Sequence, residues 1–151
     1  MANGFNGCKK WYLYHMKYLL PLFAFVLFSC SRPQPADLVH LNGYWEIESA
    51  KMKDGTTREY TINPTVEYFE LKDRKGVRKK LMAQIDGKFI DAGNPAESFE
   101  VIDQDGKMML KYTMPGTSWQ EELIEIDANH MVMRTQHEMT FTYKRHQPIK
   151  L

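Results

Sequence analysis

The chain has 151 residues, with 20 Lys and Arg against 19 Asp and Glu, and a formal net charge of +1. That near balance excludes the strongly basic footprint of a nucleic-acid-binding domain. Its two cysteines, Cys8 and Cys30, both lie near the N-terminus, which excludes a disulfide framework in the body of the protein.

The first element in chain order is MKYLLPLFAFVLFSC, Met16 to Cys30. From Leu19 to Phe28 nine of ten residues are apolar, the tenth is Pro21, and none is charged. A membrane-spanning helix needs about 20 such residues. A run of this length, with Lys17 before it and the small Ser29 near its end, has the form of a secretory signal. Leu27-Phe28-Ser29-Cys30 resembles a bacterial lipobox, whose cysteine is lipidated and becomes the first mature residue; Phe28 is bulkier than the residue usual there. Residues 1–15 then form an upstream extension to a signal that starts at Met16. The expected organisation is a signal over 1–29, a lipidated Cys30 with an extended tether to position 39, and one folded domain over 40–151. Without residues 1–29 the chain holds 17 basic and 19 acidic residues, a net charge of −2. A domain of that size can bury an adequate core without metal or disulfide.

After the tether the sequence reads as short strands separated by turns. LNGYWEIESAKMK is followed by Asp54-Gly55, REYTI by Asn63-Pro64, and VEYFELK by Asp73-Arg74-Lys75-Gly76. VRKKLMAQ, KFI, ESFEVID and KMMLKYTM follow, broken at Asp86-Gly87, Gly93-Asn94-Pro95 and Asp105-Gly106. Pro115-Gly116 precedes SWQEELIEID; HMVMRTQ and EMTFTYKRH close the series. Alternation argues strands: Met108, Leu110, Tyr112 and Met114 share one face, as do Met139, Phe141 and Tyr143. Eight or nine strands at this spacing predict an all-β antiparallel meander, closed into an up-and-down β-barrel that leaves no exposed edges.

Gly43-Tyr44-Trp45 at the first strand, together with the ending IEIDANHMVMR…MTFTYKR, resembles the bacterial lipocalin-like lipoproteins over roughly Leu41 to Arg145. The resemblance implies a floor motif in which Gly43 permits a tight entry, Trp45 plugs the closed end, and Arg145 (or, second, Arg134) stacks on the indole. It also implies binding or carriage of a small hydrophobic molecule, without catalysis. The middle lipocalin motif, a Thr-Asp-Tyr-type turn, is absent, so no particular ligand is inherited. The family's sorting rules, with Ser31 after the cysteine and no acidic run, imply an outer-membrane lipoprotein facing the periplasm.

A barrel of about eight strands either fills with side chains or holds one small ligand. The eight methionines after Met16 suit both outcomes, as gap fillers or as an adaptable lining. Candidates for a cavity lining are Tyr68, Met108, Leu110, Tyr112, Met133, Phe141 and Tyr143. A dry barrel would instead serve as an interaction module docking an envelope protein, as adaptor or inhibitor. The basic run Lys72 to Lys80 reads as a solvated hairpin, or as a contact for anionic headgroups beside the anchor. His40, His130, His137 and His146 match no metal-ligand spacing. Glu121, Glu122 and Glu125 could suggest paired-carboxylate hydrolysis, but they are expected on a solvated strand face. With no nucleophile elbow or phosphate loop, the sequence predicts no cofactor and no catalytic residues.

Overall fold

The structure, a computed structural model, describes residues 32–147 apart from position 62; Cys30 and the expected signal lie outside them. Ten strands are present among the described residues: β1 (Gly43–Lys51), β2 (Thr57–Glu59), β3 (Thr65–Lys72), β4 (Lys75–Ala83), β5 (Phe89–Asp91), β6 (Glu97–Gln104), β7 (Lys107–Met114), β8 (Thr117–Ile126), β9 (His130–Thr135) and β10 (Thr140–Arg145). Eight of them follow the order β1-β3-β4-β6-β7-β8-β9-β10, and β10 pairs back onto β1. The sheet is therefore a closed antiparallel barrel. The short β2 and β5 are extra, pairing with β1 and β4.

Local chemistry explains the path. The β3–β4 hairpin turns on Asp73 and Arg74, both at positive φ (48° and 67°), the backbone twist that two-residue hairpins favour. Closure is made by Trp45 opposite Arg145, Ile47 opposite Tyr143 and Ala50 opposite Phe141. A bulge between Ile47 and Ser49, and another between Leu123 and Glu125, each insert one residue. The extra residue reverses the in–out phase, which is why Ala50 and Ile126 are buried although simple alternation would turn them outward.

The interior is filled largely by apolar side chains. Trp45, Phe69, Leu110, Tyr112, Met131 and Met133 are all at most 1% exposed. Tyr68 does not join them. It lies between the buried Glu67 and Phe69 on β3 and so faces outward, where its ring packs on Tyr44 (4.9 Å between centroids). Tyr68 therefore does not line a cavity, contrary to the expectation from the sequence: period-two alternation puts it on the face opposite Phe69.

One end of the barrel is closed by a segment the sequence suggested would be extended tether. Pro35–Leu41 forms a 3₁₀ helix that buries Leu38 and Leu41 in the core cluster. The Gln34 N–H donates to Asp37 Oδ2 at 2.7 Å and caps its start, and Pro35 supplies a φ preset for a first turn. Two apolar residues three apart, Leu38 and Leu41, fall on the same side of a three-residue turn.

Candidate functional site

The closed end is organised around Trp45. Its ring is fully buried, and its Nε1–H donates to the Leu41 carbonyl at 2.9 Å. The Arg145 guanidinium lies over that ring, 3.8 Å from the centroid, and donates to the carbonyls of Ala128 (2.9 Å), Asn42 (2.8 Å) and His40 (2.6 Å). Burial lowers the Arg145 pKa from its ordinary value, with the Asp127 carboxylate acting against it. Gly43 sits at φ +117°, and a Cβ there would fall 2.8 Å from Arg145 Nη1; both the backbone and the cation require glycine. Arg134, by contrast, lies away from the floor and pairs with Glu122 at 2.7 Å. This end is a structural closure.

The other half of the interior is chemically different. Inward-facing residues there become half-buried, among them Glu97, Met114, Trp119, Thr135 and Phe141. Beneath them Arg78 of β4 is 6% exposed. Its Nε donates to Glu97 Oε2 at 2.5 Å and its Nη1 to Glu121 Oε2 at 2.9 Å. Glu67 Oε2 stands 3.7 Å from the same Nη1, near enough for attraction and too far for a hydrogen bond. Three carboxylates from β3, β6 and β8 thus surround one guanidinium inside the barrel. The guanidinium lies 4.3 Å from the centroid of Tyr112, and Trp119 stacks on Tyr112, 5.0 Å between centroids at an interplanar angle of 10°.

This cluster corrects two readings of the sequence. Glu121 is not on a solvated face: Trp119, Glu121 and Leu123 share the odd-numbered, inward side of β8, and only Glu122 and Glu125 point out. Nor is the whole basic run solvated, since Arg78 pairs across the sheet with Phe69 and with Glu97 on the inner face. The signal in the sequence is an acid in phase with an apolar face, at Glu67 with Phe69 and Leu71 and at Glu121 with Trp119 and Leu123; Arg78, with Gly76 and Lys80 beside it on its face, carries no such signal. Of the other cavity candidates, Met108, Leu110, Tyr112, Met133 and Tyr143 are buried and Phe141 is half-buried against the core.

Burial raises the Glu67 pKa, with Arg78 and Lys80 pulling it down and Glu121 and Glu97 adding to the rise. Burial likewise holds the Tyr112 and Tyr143 hydroxyls well above their ordinary values. A carboxyl raised on folding contributes stability that is fully present below the unfolded pKa and is lost as pH rises through the folded one. Urea denaturation of wild type and Glu67→Gln across pH 4 to 8 should therefore show a difference that moves against the wild type as pH rises. A pH-independent difference would contradict this. Among the described residues, Glu67 Oε2 and the Tyr112 hydroxyl are buried without a hydrogen-bond partner. Glu125, Asp127 and His130 also lie together on the β8–β9 turn, but Asp127 Oδ1 already accepts from the Asn129 and His130 amides.

The closed eight-stranded antiparallel barrel with a capped, tryptophan-plugged floor decides the architecture. The fold is lipocalin-like. No family model matches this sequence, and no curated protein matches it. Among solved structures, the chain is similar to a lipocalin-like protein from Bacteroides uniformis, at 7% identity over 71% of this chain and 99% of that one, with a TM-score of 0.45. It is also similar to apocrustacyanin C1 (9% identity, 78% of this chain and 67% of that one, TM-score 0.47) and to lobster apocrustacyanin A1 (10%, 78% and 67%, TM-score 0.45). Neither a ligand nor a site residue is carried over from these proteins.

Proposed function

We propose that this lipocalin-like protein is a non-catalytic binding protein that takes a small, largely hydrophobic molecule into the half of the barrel around Arg78. The observation that carries the reading is a pair of buried polar atoms without a hydrogen-bond partner, Glu67 Oε2 and the Tyr112 hydroxyl, inside the barrel. Leaving such groups unpaired costs about 1–3 kcal/mol each, and a ligand that meets them recovers that cost. Half-buried Trp119 stacks on Tyr112 and supplies an apolar wall there. Native mass spectrometry of the full-length chain after incubation with a bacterial envelope lipid extract should reveal an adduct of discrete mass. No adduct under gentle desolvation would overturn carriage of an envelope lipid.

The proposal extends to location. A lipidated Cys30 would anchor the barrel to a membrane of the bacterial envelope, with the outer membrane and its periplasmic face as the expected site. Acyl chains on one cysteine would hold firmly, because each buried methylene adds about 0.8 kcal/mol. Radiolabelled palmitate should enter the wild-type chain and fail to enter Cys30→Ala; label in both, or in neither, would remove the anchor.

A second reading, an interaction module that docks an envelope protein, is favoured by the β4–β5 hairpin. It exposes Met82 (39%), Ile85 (75%) and Ile90 (50%), apolar side chains that a partner would cover. Charged replacements at Ile85 and Ile90 should leave ligand adducts unchanged under the first reading and abolish partner capture under the second.

A further inference from the structure

The inner face around Arg78 carries more negative than positive side chains. Glu67, Glu97 and Glu121 face Arg78, and among the described residues the other cation on that face nearby is Lys80, opposite Glu67 in the β3–β4 register and half-buried. Arg78 is committed to Glu97 and Glu121 through hydrogen bonds. Glu67, 6% exposed, receives no hydrogen bond at Oε2, and Tyr112 of β7, fully buried beside the Arg78 guanidinium, has no hydrogen-bond partner for its hydroxyl. An apolar core has no use for this excess: buried charge is costly to desolvate, and apolar residues of similar volume usually serve stability as well or better.

We propose that the barrel recognises a protonated amine: a compact molecule with an apolar, preferably aromatic, body and a primary ammonium head that meets Glu67 Oε2 and the Tyr112 oxygen. This deepens the binding function proposed above and rests on it. An ammonium offers three donors and one positive charge, matching the missing charge and the two unsatisfied acceptors together. A carboxylate head would add a fourth negative charge to the cluster, and a hydroxyl would supply a donor without the charge. The body of the ligand packs against Trp119, which stacks on Tyr112 at 5.0 Å and is half-buried, and against Phe141. Size is limited from below, because Leu110, Leu123, Met131 and Met133 fill the interior beyond Tyr112 at no more than 1% exposure.

The test is calorimetric titration of the chain with 2-phenylethylamine, 2-phenylethanol and 3-phenylpropanoate, which share a phenylethyl body and differ in the head group. The amine should bind at least about tenfold more tightly than the other two, since a charge-assisted hydrogen bond is roughly twice as strong as a neutral one. Glu67→Gln, isosteric with the acid, should erase that preference while near-ultraviolet circular dichroism stays native. If Glu67→Gln fails to fold, Tyr112→Phe should still lower amine affinity several-fold. Equal binding of amine and alcohol, tighter binding of the acid, or no binding of the amine would overturn the proposal. The lipid-extract experiment decides the broader binding function separately, because an adduct found there alongside no amine preference would leave only the head-group assignment lost.

Discussion

Arg78→Met should destabilise the barrel by about 3–5 kcal/mol, the loss seen when one partner of a buried ion cluster is removed. The substitution keeps an unbranched, apolar stem of similar reach but leaves Glu67, Glu97 and Glu121 facing one another. Glu67 and Arg78 side chains are each 7% exposed, and Glu121 11%, so solvent screens little of the repulsion. Protonating the carboxyls relieves it. The stability deficit of Arg78→Met should therefore shrink as pH falls toward the carboxylate range, by linkage of the raised Glu67 pKa to folding. Urea denaturation at pH 7 and at pH 5 measures both numbers. A deficit under about 1 kcal/mol at pH 7 would be the size of a surface ion pair and would show that the cluster is hydrated. A compensated variant sharpens the point: Arg78→Met with Glu67→Leu, Glu97→Leu and Glu121→Leu should recover most of the stability and lose all preference for an amine. Stability and recognition would then be separated in one molecule.

Trp45→Ala is the second large effect, with an expected loss of about 3–5 kcal/mol for a fully buried aromatic truncated to alanine. The indole is the point where three pieces of chain meet. Its Nε1–H holds the end of the 3₁₀ segment through Leu41, its face carries Arg145, and its backbone pairs with Arg145 on β10 and Glu67 on β3. Trp45→Phe keeps most of the volume and loses the hydrogen bond, so a smaller loss is expected. Arg145→Leu should also cost less than Trp45→Ala. It removes a cation–π contact worth about 0.5–2 kcal/mol, while the carbonyls of Asn42 and Ala128 lie at an exposed rim where water can replace it. If Arg145→Leu equalled Trp45→Ala in denaturant midpoint, the guanidinium and not the indole would be the keystone of the floor.

The two ends of the barrel were unequally legible in the sequence. Gly43, Trp45 and Arg145 could be read as one unit only through the resemblance to lipocalin-like lipoproteins, which a glycine two residues before a tryptophan at the first strand and the form of the closing strands suggested. The 3₁₀ helix was hidden because Pro33 and Pro35 favour extended chain, and only the packing of Leu38 and Leu41 beneath Trp45 selects the tighter turn. The Arg78 cluster was hidden for a different reason. Each member, taken alone, reads as a surface charge, and Arg78 stands among five other basic residues in Lys72 to Lys80. Sequence separations of 19 and 43 residues part Arg78 from Glu97 and Glu121.

What the sequence determined by itself was the class of the fold. Period-two alternation, strands of about eight residues and a turn between each pair leave an antiparallel meander as the arrangement that hides its apolar face and its edges. These are short-range properties, written in neighbouring residues. Only the tertiary structure decided which acids and bases go inside. That choice depends on the register of strands far apart in the chain, which sets Arg78 opposite Glu97 and brings Glu67 and Glu121 to the same guanidinium. A charge enters a low-dielectric interior only when its counter-charge arrives with it, and that condition is met by the closed barrel, never by a single strand.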